Sequence, residues 1–410
     1  MKLNAQLKST NQSMSHNIKN TPQILYAYWA DEEGRLIKFP CYNSRLVYIC
    51  IITNKEAIGK DYDIHFFHTA NGVMEKVYIN VDKITINSAK SLVPIPFDEN
   101  VFNTINSNII DVEFYLVRRE CNKSFYFKEQ KLRIHAVIFI WEIMEHMGWN
   151  IGAKTQHKWF TTPPCNKPYQ YFDIANIIKF DDVLKYPTIK EFYNKLIEDK
   201  VWFTFEAQKQ LVNEIRKMLI AGHASFPYNI IKESHIGNFE DKLIMSFFSK
   251  KRILQIDEYY IQYRGYIQPN LLNVIFSSNR AGIVNELYAS LGDFRIRMAV
   301  MGSIEFVNSE YYKINIKKVA FYIIDSFDFV DNNFFSQPLG LWDIVNKKIV
   351  LDINIRNAHY ITNSDYNNYR KDTNVGRDYI IYSDIKEIST SDSFFIPKNI
   401  FISSFKSSIE

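Results

Sequence analysis

From Leu25 onward the chain falls into short apolar runs broken by turn residues. Leu25–Ala30 leads into the turn Asp31-Glu32-Glu33-Gly34, and Arg45–Thr53, Tyr62–His68, Val77–Val81, Lys83–Ile86 and Ile110–Arg118 follow at strand length. Asn71-Gly72, between Ile64–Phe67 and Val77–Ile79, predicts a tight hairpin. Residues 22–130 therefore predict an antiparallel β-sandwich of immunoglobulin-like type. Residues 1–21 are polar, rich in Asn, Ser and Lys, and predict a flexible leader with no secretory signal.

The period changes near residue 130. Ile138, Trp141, Ile143, Met144, Met147, Ile151, Trp159 and Phe160 recur at spacings of three and four. That pattern predicts an amphipathic helix from about His135 to Phe160, bent at Gly148 or Gly152 and stopped by Thr161-Thr162-Pro163-Pro164. Thr188–Ile197, after Tyr186-Pro187, and Thr204–Ala221, ending at Gly222, predict two more helices. From Leu243 the pattern returns to strands, apart from helices expected at Ile283–Ser290 and Asp365–Lys371. Phe294, Ile296, Met298 and Val300 alternate with Arg295, Arg297 and Ala299, as in a half-buried strand. Tyr312–Ile316, Val319–Ile324, Ile349–Ile355 and Tyr379–Ser383 predict further strands. The second domain, residues 131–410, is thus expected to be α+β, with a helical section at 131–222 and an antiparallel β section at 223–410. The whole chain reads as α+β and β-rich.

Composition narrows the function classes. Hydrophobic residues make up 47% and charged residues 23%, which excludes wholesale disorder. Aromatics reach 15%, favouring strands and aromatic-filled cores, while 13 glycines leave little room for Gly-rich phosphate loops. A net charge of +4 is too weak to call for a nucleic-acid partner. The longest apolar run, Ala136–Ile143, is interrupted by Glu142 and far shorter than the roughly 18 residues of a membrane span. Cys41, Cys50, Cys121 and Cys165 lie far apart with no CxxC, as reduced thiols of a protein made in the cytoplasm would.

Candidate chemistry is sparse. Asp325 and Asp328, three apart after the strand Val319–Ile324, can serve as a catalytic acid/base pair or bind a divalent metal such as Mg²⁺; the competing role is to cap a turn by accepting backbone N–H bonds. Arg295 and Arg297 are the nearest candidate cations for a phosphate. Trp149 and Trp159 lie on the apolar side of the amphipathic segment, either as an internal core or as a binding face. His223 with Ser225, Tyr228 and Asn229 reads as a helix-ending turn rather than a nucleophile with its base, since no third group orients the imidazole. His135, His146 and His157 recur every eleven residues, too far apart along one helix to share a metal. Lys250-Lys251-Arg252 and Lys317-Lys318 read as solvated turns or strand edges.

Four stretches carry a resemblance: Met147-Gly148-Trp149 with Ala153 and Trp159-Phe160; Leu287–Phe294 continuing through Arg297–Val300 to Gly302; Asp325–Phe329 with Leu339-Gly340-Leu341-Trp342; and Thr362–Arg370 followed by Gly376-Arg377-Asp378-Tyr379-Ile380-Ile381-Tyr382-Ser383-Asp384. In order and spacing they resemble the proteobacterial domain-of-unknown-function family 6402, over about Ile138–Ile388. The resemblance implies a cargo or effector protein of a type VI-like secretion system, active in interbacterial competition, with a secretion spike protein and an immunity protein as partners. It implies no particular chemistry. A shorter stretch is similar to the colicin M catalytic domain, a phosphatase of the lipid-linked peptidoglycan precursor. Asp325 and Asp328 match its two aspartates, Phe327 stands where it has tyrosine, and its His-Arg pair has no match at the right spacing, Arg356 and His359 being the nearest.

Overall fold

The structure is a computed structural model. It describes residues 21–399 except 71, 82, 104, 106, 128–129, 163–171, 175, 206, 210, 213–234, 239–260, 264–285, 292–293, 332–335 and 351–357. The expectations for the leader, Cys165, the His223 cluster and Lys250-Lys251-Arg252 lie outside these residues, as does most of the helix expected over Thr204–Ala221. The chain forms two compact units. One gathers the residues up to Ile143 with Gly340–Asp365; the other gathers Met144–Leu339 with the residues from Tyr366 on.

In the first unit β1 (Ile24–Ala30), β2 (Leu46–Thr53), β3 (Asp61–Ala70), β4 (Val73–Lys76), β5 (Lys83–Thr85), β6 (Lys90–Pro96), β7 (Ile109–Arg118), β8 (Lys123–Tyr126) and β9 (Leu132–His135) build two antiparallel sheets. One has the order β1-β2-β6 and the other β4-β3-β7-β8, with β5 also beside β3 and β9 beside β7. Apolar alternation decides which face is buried: Ile110, Val112, Phe114 and Leu116 of β7 are all inside. Trp29 of β1 joins the sheets. Its ring meets Phe66 and Phe114 at centroid distances of 5.9 and 5.2 Å, and its Nε1 donates to the Val112 carbonyl at 3.3 Å. Gly72, with φ 79°, turns the expected hairpin between β3 and β4.

The segment expected as one helix is broken. His135 ends β9, Ala136–Phe139 is a 3₁₀ turn, and α1 (Ile140–His146) and α2 (Asn150–Thr161) are separate. The reason is a Schellman ending: Gly148 takes φ 78°, its N–H reaches the Glu145 carbonyl at 2.9 Å, and the Trp149 N–H reaches that of Met144 at 2.7 Å. α2 then buries Gly152, Ala153, Thr155, Gln156, Trp159 and Phe160, one stripe of a 3.6-residue period.

The second unit continues through β10 (Phe172–Ile174), α3 (Phe180–Val183), α4 (Pro187–Glu198), β11 (His235–Asn238), β12 (Ile261–Tyr263), α5 (Glu286–Leu291), β13 (Arg295–Phe306) and β14 (Tyr311–Phe327). Pro187 opens α4 at its first turn, where a missing N–H costs nothing. The two runs Tyr312–Ile316 and Val319–Ile324, expected as separate strands, are one 17-residue strand, β14. Register shifts beside Ile316/Lys318 and Met301/Gly302 absorb the irregularity between them. Gly302 is required there, because a Cβ would lie 1.8 Å from the Asn315 carbonyl oxygen.

β15 (Pro338–Asp343), β16 (Lys348–Val350) and β17 (Ala358–Thr362) form a small sheet of order β16-β15-β17, most of it within the first unit. α6 (Asn363–Thr373), β18 (Tyr379–Tyr382) and β19 (Lys386–Pro397) follow. The main sheet of the second unit has the order β10-β18-β14-β13-β11, with β12 against β13 and β19 also against β14. The β10–β18 pair is parallel and the others are antiparallel. The protein is therefore α+β and β-rich.

Candidate functional site

Three neighbouring strands put two aspartates in one row. Asp325 of β14 pairs with Ile381 of β18, and Ile381 pairs with Asp173 of β10. Strands spaced about 4.8 Å apart put the two carboxylate-bearing backbones about 10 Å from each other. Asp173 is 1% exposed and fully engaged. Its Oδ1 accepts the N–H groups of Asn176 (3.2 Å) and Ile177 (3.1 Å), and its Oδ2 accepts Lys158 Nζ of α2 at 2.6 Å. The same ammonium stands 5.5 Å from the ring centre of Tyr379. Tyr379 is buried, and its hydroxyl donates to the Thr155 carbonyl at 3.0 Å. Burial pushes this phenol well above the ordinary tyrosine range, and the charges of Asp173 and Asp325 push it further. Tyr379 is therefore a fixed donor and not a proton shuttle near neutral pH.

Trp159 is the centre of a second cluster on the same helix. It is fully buried, with Phe160, Phe329 and Tyr366 edge-on at centroid distances of 5.2, 5.1 and 5.3 Å. Its Nε1 donates to Asp378 Oδ1 at 3.0 Å. Arg370 of α6 grips the same carboxylate with both terminal nitrogens, at 2.8 and 2.9 Å, and lays its guanidinium 5.2 Å from the Trp159 ring. A two-pronged Arg–carboxylate pair over an aromatic face fixes both position and angle. Gly376 lets the chain pass against the indole, and the Arg377 N–H bonds the Trp159 carbonyl at 3.1 Å.

Asp325 sits two residues before the end of β14, inside the strand and not beyond its rim as expected; its side chain is half-buried. Asp328 follows the strand. Its Oδ2 accepts the Ser326 hydroxyl at 2.6 Å and its Oδ1 the Val330 N–H at 3.3 Å, the bonding of a turn-forming aspartate. The backbone of Arg295 pairs with Ile324 and that of Arg297 with Tyr322, strand positions that alternate with Asp325; the two arginine side chains lie outside the described residues. Trp149 is half-buried at the start of α2, away from full enclosure, whereas Trp159 is enclosed. Among the described residues no group of three or more His, Cys, Asp or Glu is arranged to hold a metal ion. Among them, too, no helix is long and apolar enough to cross a membrane.

Sequence reasoning did not single out Asp173, Lys158, Arg370 or Asp378. For Asp378 a signal existed, in the Gly376-Arg377-Asp378 run; for Asp173 only a lone acid between Phe172 and Ile174 hinted at it.

Parts of all four sequence stretches that carried the resemblance meet in the second unit. Trp159 and Phe160 come from the first, Phe329 from the third, and Tyr366, Arg370, Gly376 and Asp378 from the fourth. Ala289 and Ser290 of the second pack near Gly152 of α2, where a Cβ would lie 3.8 and 3.6 Å from them. The unit is thus a mostly antiparallel sheet body with α2 and α6 held together around Trp159. Residues 139–396 match a family described as a family of unknown function, DUF6402, and the chain belongs to it. No curated protein and no solved structure shows significant similarity to the chain.

Proposed function

We propose that the protein is a bacterial effector or cargo protein of a type VI-like secretion apparatus, acting in antagonism between cells. In this reading the N-terminal β-sandwich, of immunoglobulin-like type, is the docking module and the family body is the delivered part. One observation carries it: the residues before 139 lie outside the family match, yet they form two sheets with a core of their own around Trp29. A compact unit built mostly outside the family match, with only Gly340–Asp365 of the matched residues in it, gives an addressed cargo a docking part distinct from most of its family body.

A specific feature favours a second reading, a non-enzymatic adaptor. Tyr26, Leu46 and Leu92, on the three strands β1, β2 and β6, are 45%, 40% and 38% exposed, so this sheet offers apolar area to a partner such as a spike protein. A colicin M-like phosphatase reading has less support, since Asp328 is engaged by the Ser326 hydroxyl and the Val330 N–H in a turn.

The test is inducible expression in bacterial cytoplasm and, with an added export signal, in periplasm. Growth arrest in either compartment supports the effector. Harmless expression in both removes it and leaves the adaptor, to be checked by capture on a purified spike protein. Arrest abolished by Asp325→Ala at unchanged protein level would return the phosphatase to consideration.

A further inference from the structure

The first unit contains a cleft of about 950 Å³ that no part of the proposed function uses. Its walls come from the start of β2, the chain after β4, the chain after β6, the first turns of α1 and the β15–β16 turn. Three basic side chains, Arg45, Lys76 and Lys347, face three acidic ones, Asp98, Glu99 and Glu142, so the cleft carries no net charge.

Four of these charges are also spent on one another. Lys347 Nζ pairs with Glu99 at 2.8 Å, and Arg45 pairs with Glu142. The Arg45 guanidinium stands over the rings of Phe139 and Phe97, with centres 4.3 and 5.9 Å away. Asp98 accepts the Asn100 N–H at 2.9 Å. What remains directed at the cleft is amide and aromatic chemistry: Asn80 and Asn100 are exposed, and Tyr78 is 47% exposed with Lys76 Nζ 5.2 Å from its ring centre.

We propose that this cleft binds an uncharged saccharide. Amide side chains both donate and accept, as sugar hydroxyls do, and paired carboxylates accept further hydroxyl protons. A half-exposed tyrosine ring provides the apolar plate on which the C–H face of a sugar ring packs. An anionic ligand would meet Asp98, Glu99 and Glu142 as well as the cations and gain nothing net. A purely apolar ligand would strip water from charged groups without replacing their bonds.

The experiment is titration calorimetry of the full chain with chitotetraose and maltotetraose, and with tripolyphosphate as the anionic probe. The expected result is saturable binding of at least one oligosaccharide with Kd of about 0.1–1 mM, insensitive to salt. Tyr78→Ala and Asn80→Ala alter exposed side chains and should each weaken binding about 5-fold or more while leaving the melting curve in place. The proposal is overturned if neither sugar binds up to about 10 mM. It is equally overturned if tripolyphosphate competes for the site, or if both variants bind as the parent does.

Discussion

A Cβ built on Gly376 would lie 2.2 Å from two ring carbons of Trp159. The two residues are 217 positions apart in sequence, and the approach needs both a missing side chain and the left-handed backbone of Gly376, φ 91°. This contact seats the β18 end of the chain on α2 and lets Asp378, two residues on, receive the indole N–H.

Gly376→Ala should therefore destabilise the protein by about 3 kcal/mol or more, from backbone strain together with overpacking. Gly59→Ala is the control, since Gly59 also has positive φ (81°) but no atom within 4 Å of an added Cβ. It should cost only about 1 kcal/mol. Denaturant midpoints of the two variants check this; equal shifts would show that Trp159 yields freely.

Arg370 tests whether fork geometry or charge alone holds Asp378. Arg370→Lys keeps the charge and loses both the second bond and the guanidinium placed 5.2 Å from the Trp159 ring centre. With Arg370 only 21% exposed, we expect a loss of about 2 kcal/mol, close to that of Arg370→Ala. Unfolding of the two variants in parallel gives the comparison.

His359 sets an acid limit. It is 1% exposed, with Nδ1 3.2 Å from Asn108 Oδ1 and Phe102 edge-on to the ring. Burial lowers its pKa to about 4, outweighing the nearby charges of Asp343 and Asp365, which favour the cation. The unfolded chain binds this proton at the ordinary value near 6.5. Folding thus excludes a proton between these values, so stability should fall as pH drops from about 6.5 to 4 and level off below, by about 3 kcal/mol in all from this group. His359→Gln should flatten that part of a stability–pH curve; an unchanged slope would assign it to other groups.

Tyr379 sets an alkaline limit of the same kind. Its folded pKa is raised, so it stays neutral while an unfolded tyrosine ionises. Its contribution is complete below pH 10 and is lost as pH rises beyond about 10. Tyr379→Phe should remove this alkaline loss and cost about 1 kcal/mol at neutral pH, the bond to the Thr155 carbonyl. Ultraviolet titration of tyrosinate, with and without denaturant, follows it directly.

Local regularities were legible in the sequence. The alternation Phe294, Ile296, Met298, Val300 marks the positions that are buried on β13 and just before it, and Pro187 and Gly72 mark a helix start and a hairpin. These depend on periods of 2 and 3.6 and on the φ preferences of single residues, all of which act within a few positions. The limits of such signals also show. Gly148 ended a helix that the apolar period continued through, and β14 ran unbroken where two shorter strands were expected. Which residues would partner Trp159 and Asp173 was not legible, even where a run such as Gly376-Arg377-Asp378 stood out. Asp378, Arg370 and Gly376 reach Trp159 across more than two hundred residues, and Asp173 acquires its burial only when β10 pairs with β18. Nor does any local pattern tell that Gly340–Asp365 joins the residues before Ile143. Strand pairing between distant segments is chosen by the fit of whole faces, and no short window of sequence contains both halves of that fit.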